Sequence, residues 1–134
     1  MSLMGAFDIG TTGLVAQAVR LNVTASNVAN VESVAGPDGR TYRARQVMFR
    51  PVSLPGEKGV GVEVSNIVES SEPLKMDYKP GHPLANEDGY VQLPNVNPVE
   101  EMVNMISASR SYQANVDMMN TTRQLMLKTL DLGR

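Results

Sequence analysis

Apolar and small side chains recur at a helical spacing along residues 1–35 of the chain. The spacing alternates between four and three residues, which is typical of a helix face that packs against a second helix in a coiled-coil-like seam. We expect the regular helix to begin near Thr12, because Gly10 and Gly13 weaken the first turns, and to end near Asn30. The expected contact face consists of Phe7, Leu14, Leu21 and Val28, with Thr11, Ala18 and Ala25 between them.

Residues 99–134 show the same period and predict a second long helix. Asn97 suits the N-cap position and Pro98 the first helical position. Glu101 then lies in the first turn, where the helix dipole favours anions, and Gly133 is placed to end the helix. The expected contact face consists of Met102, Met105, Ser109, Tyr112, Val116, Met119, Arg123, Met126 and Leu130.

The segment between the two predicted helices carries turn and strand signals instead. All eight prolines lie between Pro37 and Pro98, where they separate short runs of β-branched and aromatic residues. Strands are expected at residues 42–49, with a phase slip near Gln46, and at residues 60–65, 74–78 and 90–93. Short strands separated by tight turns favour antiparallel pairing.

These elements predict an α+β fold. Its long N- and C-terminal helices pair as a coiled-coil-like hairpin, with a small antiparallel β module between them. The expected division of the chain is residues 1–35 for the N-terminal helix, residues 36–98 for the β-rich module, and residues 99–134 for the C-terminal helix that pairs with the first.

Charge is scarce on the first predicted helix and balanced over the whole chain. Between residues 4 and 31 only Asp8 and Arg20 are charged, and the chain's net charge is −2. Because exposed helices usually carry more charge, we expect copies of the same chain or its relatives to cover both helix faces. A modestly soluble two-helix hairpin is the alternative. The charge balance argues against nucleic-acid binding and against a polybasic membrane-binding patch.

The residues that could carry catalytic or metal chemistry are few. The chain has no cysteine and one histidine, His82, which excludes thiolate sites and a multi-histidine metal site. His82, Glu87 and Asp88 lie in predicted turns, and no nucleophile elbow accompanies them. We therefore expect no catalytic, cofactor or metal site. The basic residues between Arg40 and Arg50 have two interpretations, a solvated strand face or contact with an anionic partner.

Two separated segments carry a resemblance to a known family. Residues 21–30 and residues 89–103, continued by residues 107–116, resemble the terminal signatures of bacterial flagellar rod, hook and hook-associated proteins. The short length of the chain and the amino-acid sequence of residues 90–103 resemble most closely those of the proximal-rod members of the flagellar basal-body rod protein family. The matching positions are Ser26, Asn27, Ala29, Asn30, Asn95, Asn97, Glu101, Arg110, Tyr112 and Asn115.

The resemblance implies a structural protein of the bacterial flagellar basal body, in the part of the rod that lies in the periplasm. Proteins of this kind cross the inner membrane largely unfolded through the flagellar type III export apparatus. They then polymerise, through their terminal helices, with copies of themselves and with neighbouring rod proteins. The absence of a Sec-type leader at the N-terminus agrees with that route. No cofactor, nucleic acid, small-molecule substrate or membrane insertion is expected.

Two alternatives remain open at this point. One is a different short axial protein of the rod and hook family. The other is a coiled-coil adaptor unrelated to flagella, which would explain the heptads but not the two terminal signatures. An enzyme, such as a wall hydrolase, would need a convergent acid–base site, and the sequence offers none.

Overall fold

The computed structural model describes residues 2–35, 38–56 and 58–134 of the chain. A long helix stands at each end of the chain, and four strands lie between them. The elements in chain order are α1 (Leu3–Ala29), β1 (Arg45–Ser53), β2 (Val60–Glu69), β3 (Lys75–Tyr78), β4 (Tyr90–Leu93) and α2 (Pro98–Leu132). This arrangement confirms the predicted α+β fold with paired terminal helices.

Helix α1 begins at Leu3, nine residues earlier than expected, so the predicted start near Thr12 is wrong. The Ser2 hydroxyl caps this start by accepting a hydrogen bond from the Gly5 amide at 2.9 Å. A Cβ added at Gly10 would lie 2.5 Å from the terminal carbon of Met118 in α2. The glycines that lower helix propensity by about 1 kcal/mol each therefore let α2 approach closely, and this packing offsets their cost. The predicted end near Asn30, now the C-cap residue, is confirmed.

Helix α2 begins as predicted. The Asn97 side chain caps it by accepting hydrogen bonds from the amides of Val99, at 3.1 Å, and Glu100, at 3.4 Å. Pro98 occupies the first turn, where it has no amide hydrogen to leave unpaired. Gly133 follows the last helical residue, which confirms the predicted end.

The two helices pack antiparallel along most of their length. Contacts across the pair join Gly10 to Met118 and Met119, Gly13 to Asn115, and Asn27 to Glu101. At this register Leu3 is level with about residue 125. Residues 126–132, the last two turns of α2, therefore extend roughly 10 Å past the first turn of α1. We call residues 126–132 the α2 extension.

The middle of the chain forms two separate antiparallel hairpins within the part that the structure describes. In the first, β1 pairs with β2 from Arg45 opposite Glu69 to Ser53 opposite Val60. Its register shifts between Met48 and Phe49, which is two residues later than the slip predicted near Gln46. Strand β1 also begins later and ends later than the predicted strand over residues 42–49. In the second hairpin, β3 pairs with β4, and Tyr78 lies opposite Tyr90.

The interior of the single chain is small and half polar. Among the described residues, the buried side chains are those of Ala16, Ala44, Val91, Pro94, Val96 and Ala108 together with those of Thr24, Asn27, Asn95, Glu101 and Thr122. Many larger apolar side chains remain on the surface. No helix in the described ranges is long and apolar enough to cross a lipid bilayer.

Candidate functional site: the helix-pair surface and the polar joint

The apolar residues predicted for the helix seam lie partly inside and partly outside the chain. In α1, all four large members of the face are half-buried, namely Phe7, Leu14, Leu21 and Val28. In α2, the half-buried members are Met105, Val116, Met119 and Met126. Three others face solvent, with exposed fractions of 54% for Met102, 37% for Tyr112 and 67% for Leu130. The intrachain helix contact therefore uses only part of the predicted face.

The closest contact between the helices runs along small and polar side chains instead. In α2 its most buried members are Glu101, Ala108 and Thr122, which are separated by seven and by twice seven residues. The facing positions in α1 are Gly10, Gly13 and Asn27. A search for apolar periodicity missed this line because most of its members are not hydrophobic. The glycine pair three residues apart was the signal that could have found it.

A set of exposed apolar side chains occupies the two ends of α2. Its members near the start of α2 are Val99, Met102, Val103 and Ile106, and those near the end are Leu125, Leu127, Leu130 and Leu132. The exposed fraction reaches 88% at Leu132. Scattered apolar residues are ordinary on a protein surface, but several large exposed ones concentrated on one element indicate an interaction site. We call this group the α2 apolar surface.

The family-signature residues converge on a second feature, which we call the polar joint. At its centre is Asn27, which is 1% exposed. Its side-chain amide donates to the carbonyl oxygen of Arg45 at 2.8 Å and to Glu101 Oε2 at 3.0 Å. Its oxygen accepts from the Arg45 amide at 2.9 Å and from the Tyr42 hydroxyl at 2.7 Å. All four hydrogen-bonding positions of the Asn27 amide are therefore occupied.

Asn95 supplies the other half of the polar joint. Its side-chain oxygen accepts from the Ala44 amide at 2.8 Å, and its nitrogen donates to the Glu72 carbonyl at 2.9 Å. The Ala44 carbonyl in turn accepts from the Ser70 amide at 2.7 Å. The adjacent residues Ala44 and Arg45 are thus held by one asparagine from each terminal signature. The joint connects the end of α1, the start of α2 and the base of the first hairpin.

The other signature residues lie at the helix ends, in the contact between the helices, or on the surface. Asn97 caps α2, and the Asn30 side chain donates to the Ser26 carbonyl at 2.9 Å, which closes the end of α1. Asn115 contacts Gly13 across the helix pair. The remaining three are exposed, namely Ala29, Arg110 and Tyr112.

The basic segment identified in the sequence is engaged within the chain. Arg43 donates to the carbonyls of Ser70 and Glu72, at 3.3 and 3.0 Å. Arg45 lies 3.9 Å from Glu69 and 5.5 Å from the centre of the Tyr42 ring. Arg50 pairs with Glu63 across the hairpin. These contacts favour the strand-face interpretation over an anionic partner.

The residues considered for catalysis lie in turns. His82 Nδ1 accepts a hydrogen bond from the Leu84 amide at 3.1 Å, and Glu87 and Asp88 are exposed. Over residues 2–35, 38–56 and 58–134, no three histidine or carboxylate groups are grouped as a metal site would require. The features of the molecule that stand out are therefore the α2 apolar surface and the polar joint.

Comparison with known proteins places this helix pair in a class. Residues 7–37 match the family described as flagella basal body rod protein. Residues 87–132 match the family described as flagellar basal body rod FlgEFG protein C-terminal. The two matches coincide with the two helices and the segments next to them. The paired terminal helices are therefore those of a flagellar basal-body rod protein.

Comparison with full-length relatives identifies the family within the flagellar rod proteins. The chain is 54% identical to the flagellar basal-body rod protein FlgC of Salmonella typhimurium, over 100% of both chains. It is 55% identical to FlgC of Yersinia enterocolitica, again over 100% of both. It is 40% identical to FlgC of Borreliella burgdorferi over 97% of both. The chain belongs to the FlgC family of flagellar basal-body rod proteins. It is a structural subunit of the rod, which spans the periplasm, and it assembles with other rod proteins.

Proposed function

We propose that this rod subunit is exported through the flagellar type III apparatus and polymerises through its terminal helices, without an enzymatic role. The observation that carries the proposal is the α2 apolar surface, which the chain itself leaves uncovered. Burial of apolar surface contributes about 25 cal/mol per Å² to association, so this surface favours contact with a further helix. Within this scheme we assign residues 1–35 and 99–134 to the helix pair and residues 36–98 to the β-rich part.

The α2 extension marks the most exposed part of the proposed contact. Leu127 and Leu130 are 53% and 67% exposed, and α1 does not reach far enough to cover them. Beyond the level at which α1 begins, a helix from another rod subunit can pack on Leu127 and Leu130. The seam residues Phe7, Leu14, Leu21 and Val28 are assigned to the same helix-to-helix contacts.

The small interior supports passage of the chain in an unfolded state. The sequence contains no cysteine, so no disulfide has to be reduced before export. The buried apolar side chains in the described ranges are those of three alanines, two valines and Pro94, so none is larger than valine or proline. Such a core contributes little to the free energy of unfolding. Little free energy is therefore needed to unfold the chain for export. Assembly into the rod then buries the apolar side chains that the single chain leaves exposed.

A structural role agrees with the chemistry of the turn residues. A catalytic histidine needs an orienting partner and a reacting group within hydrogen-bond reach. The Nδ1 atom of His82 instead accepts a bond from the Leu84 backbone. Glu87 and Asp88 are adjacent and exposed, which suits a turn rather than a converging carboxylate pair.

The test changes the α2 extension without changing the interior. Leu127→Asp with Leu130→Asp places two charges on the proposed contact. The control, Thr121→Asp with Gln124→Asp, adds the same two negative charges at exposed positions of α2 outside the α2 apolar surface. We expect the first pair to abolish basal bodies counted by electron microscopy, while the protein is still made and exported. The control pair should retain most of them. Equal numbers of basal bodies in the two strains would contradict the proposal.

A further inference from the structure

We infer that Asn27 is a positioning residue that makes the docking of the first hairpin on α1 depend on the pairing of α1 with α2. The inference concerns the single chain and does not rest on the proposed function. It starts from the polar joint, in which one side chain of α1 touches both α2 and β1. No hydrogen bond joins α2 directly to β1 or β2 in the described part of the chain. The contact of Asn27 with Glu101 is the hydrogen-bonded link between them.

The Asn27 amide pairs with Arg45 as a neighbouring strand residue would. It donates to the Arg45 carbonyl at 2.8 Å and accepts from the Arg45 amide at 2.9 Å. Exchange of two hydrogen bonds with one residue is the pattern of a hydrogen-bonded pair in an antiparallel sheet. Arg45 is the first residue of β1 and lies opposite Glu69, the last residue of β2. Asn27 therefore attaches the open end of the hairpin to the helix.

This pairing works in only one orientation of the amide. Glu101 is 9% exposed, and its ionised carboxylate accepts hydrogen bonds but donates none. The carboxylate therefore holds the NH₂ group of Asn27 on the side of α2. A flipped amide would place its oxygen against the Glu101 carboxylate and its NH₂ group against the Arg45 N–H. Because an unpaired polar group in a buried site is destabilising, Glu101 selects the orientation that fits Arg45.

A second contact holds the hairpin far from the polar joint. The Thr12 hydroxyl accepts from the Val62 amide at 3.1 Å and donates to the Ile9 carbonyl at 2.7 Å. Thr12 and Asn27 are fifteen positions apart, roughly 22 Å along a helix. The Thr12 contact uses α1 alone and does not involve α2. Loss of Glu101 should therefore weaken the attachment of the open end of the hairpin more than that of its far end.

The first experiment removes the α2 side of the link. Amide hydrogen exchange of Arg45 is measured by NMR in the full chain, with Glu101→Ala compared to Glu100→Ala. Glu100 is the exposed neighbour of Glu101 in the same first turn. We expect Glu101→Ala to speed exchange at Arg45 by about tenfold or more, the scale of one lost charge-assisted hydrogen bond. Exchange at Val62 should change less, and Glu100→Ala should change neither.

The second experiment separates polarity from packing, because its substitutions preserve shape. Asn27→Asp removes both donors and turns a carboxylate toward Glu101, so Arg45 exchange should rise by about a hundredfold. Adding Glu101→Gln supplies an amide that can donate to the new carboxylate, so the double variant should recover part of the Arg45 protection. It should stay below the wild type, because the Arg45 carbonyl has lost its donor. Glu101→Gln alone should stay within about twofold of the wild type, because its oxygen still accepts. Asn22→Asp, at an exposed position of α1, is the control for added charge.

Three results would overturn the inference. One is an Arg45 amide that is unprotected in the wild-type chain. Another is unchanged Arg45 exchange in Glu101→Ala. The third is a double variant no better protected than Asn27→Asp, since that would leave packing as the cause. If Asn27→Asp prevents folding, the measurement becomes whether adding Glu101→Gln restores the folded state. Restored folding would support the inference, and a double variant that remains unfolded would contradict it.

Discussion

The two hairpins of this subunit have similar pairing but different attachment. The hairpin β1–β2 lies against α1, where the Thr12 hydroxyl and the Asn27 amide bind it at two separated points. The hairpin β3–β4 makes no close backbone approach to either helix within the described ranges. The first hairpin therefore belongs to the body of the helix pair, whereas the second is joined to it through the segment that leads into α2.

The second hairpin is held by its own side chains and by that segment. Tyr78 and Tyr90 form an edge-to-face pair with ring centres 5.2 Å apart. Lys75 donates to the carbonyl of Val96, two residues before α2 begins, at 2.6 Å. The buried Val91 adds apolar contact at 3% exposure. The difference teaches that polar side chains at particular positions, Thr12 and Asn27, fix where the first hairpin is attached. They act beside apolar side chains of α1 and of the hairpin, such as Val19 and Val62, which line a shared pocket.

The largest effect is expected from filling the space between the first hairpin and α1. A Cβ at Gly61 would lie 2.7 Å from the Thr12 hydroxyl oxygen, whereas a Cβ at Gly81 in the second hairpin would meet nothing within 4 Å. Gly61→Ala should lower the free energy of unfolding by about 2 kcal/mol, the range of overpacking. Gly81→Ala should change it by less than about 0.5 kcal/mol. Urea unfolding of both variants measures the contrast, and equal losses would abolish the distinction between the hairpins.

A smaller loss is expected from removing one attachment point. Thr12→Val keeps the shape of the side chain but leaves the Val62 amide without its acceptor. We expect a loss of about 1–2 kcal/mol in the free energy of unfolding. Thr11→Val is the matched control, because the exposed Thr11 hydroxyl bonds only back to the Phe7 carbonyl of its own helix. A Thr12 variant as stable as the Thr11 variant would show that this contact does not hold the hairpin.

A still smaller effect is expected in the second hairpin. Tyr78→Leu retains an apolar side chain but removes the edge-to-face contact with Tyr90, which should cost about 0.5–1 kcal/mol. Because this hairpin lies away from the helices, amide exchange in α1 should stay unchanged while exchange in β4 rises. Faster exchange at α1 amides in this variant would indicate a coupling between the second hairpin and the helix pair.

The smallest effect concerns the end of β3. Asp77 accepts a hydrogen bond from Lys79 at 2.9 Å, and this bond and the charge of Asp77 raise the pKa of Lys79 above its ordinary value. A raised lysine pKa stabilises the folded state at neutral pH, and this contribution disappears as the pH rises through that pKa. In Asp77→Asn the pKa of Lys79 should fall back, as NMR titration would measure. An unchanged Lys79 titration would mean that the pair does not persist in solution.

Much of the fold was predictable from local signals. Asn97 and Pro98 marked the start of α2 because an asparagine cap and a proline in the first turn act within four residues. The alternation of Val60, Val62 and Val64 indicated β2. The extra length of β2 and the position of the shift in β1 were not predictable, because pairing across the hairpin decides both.

The start of α1 was predicted wrongly for a reason that lies outside the helix. Gly10 and Gly13 lower the helix propensity of this segment. In the folded chain, however, they provide the space that Met118 and Asn115 fill. The polar joint escaped prediction in the same way. Asn27 and Glu101 were recognised as signature positions, but nothing local indicates that residues 74 positions apart share a hydrogen bond.

The sequence by itself determined the order and type of the elements, the ends of α2 and the family to which the chain belongs. These depend on periodicity, capping and motifs, which act over a few residues of the chain. Only the tertiary structure decided which face of each helix meets the other, how far α2 extends past α1, and which hairpin is attached to the helices. Those features depend on contacts between distant residues, such as the pairing of Asn27 with Arg45, whose energies appear only once the chain has brought them together.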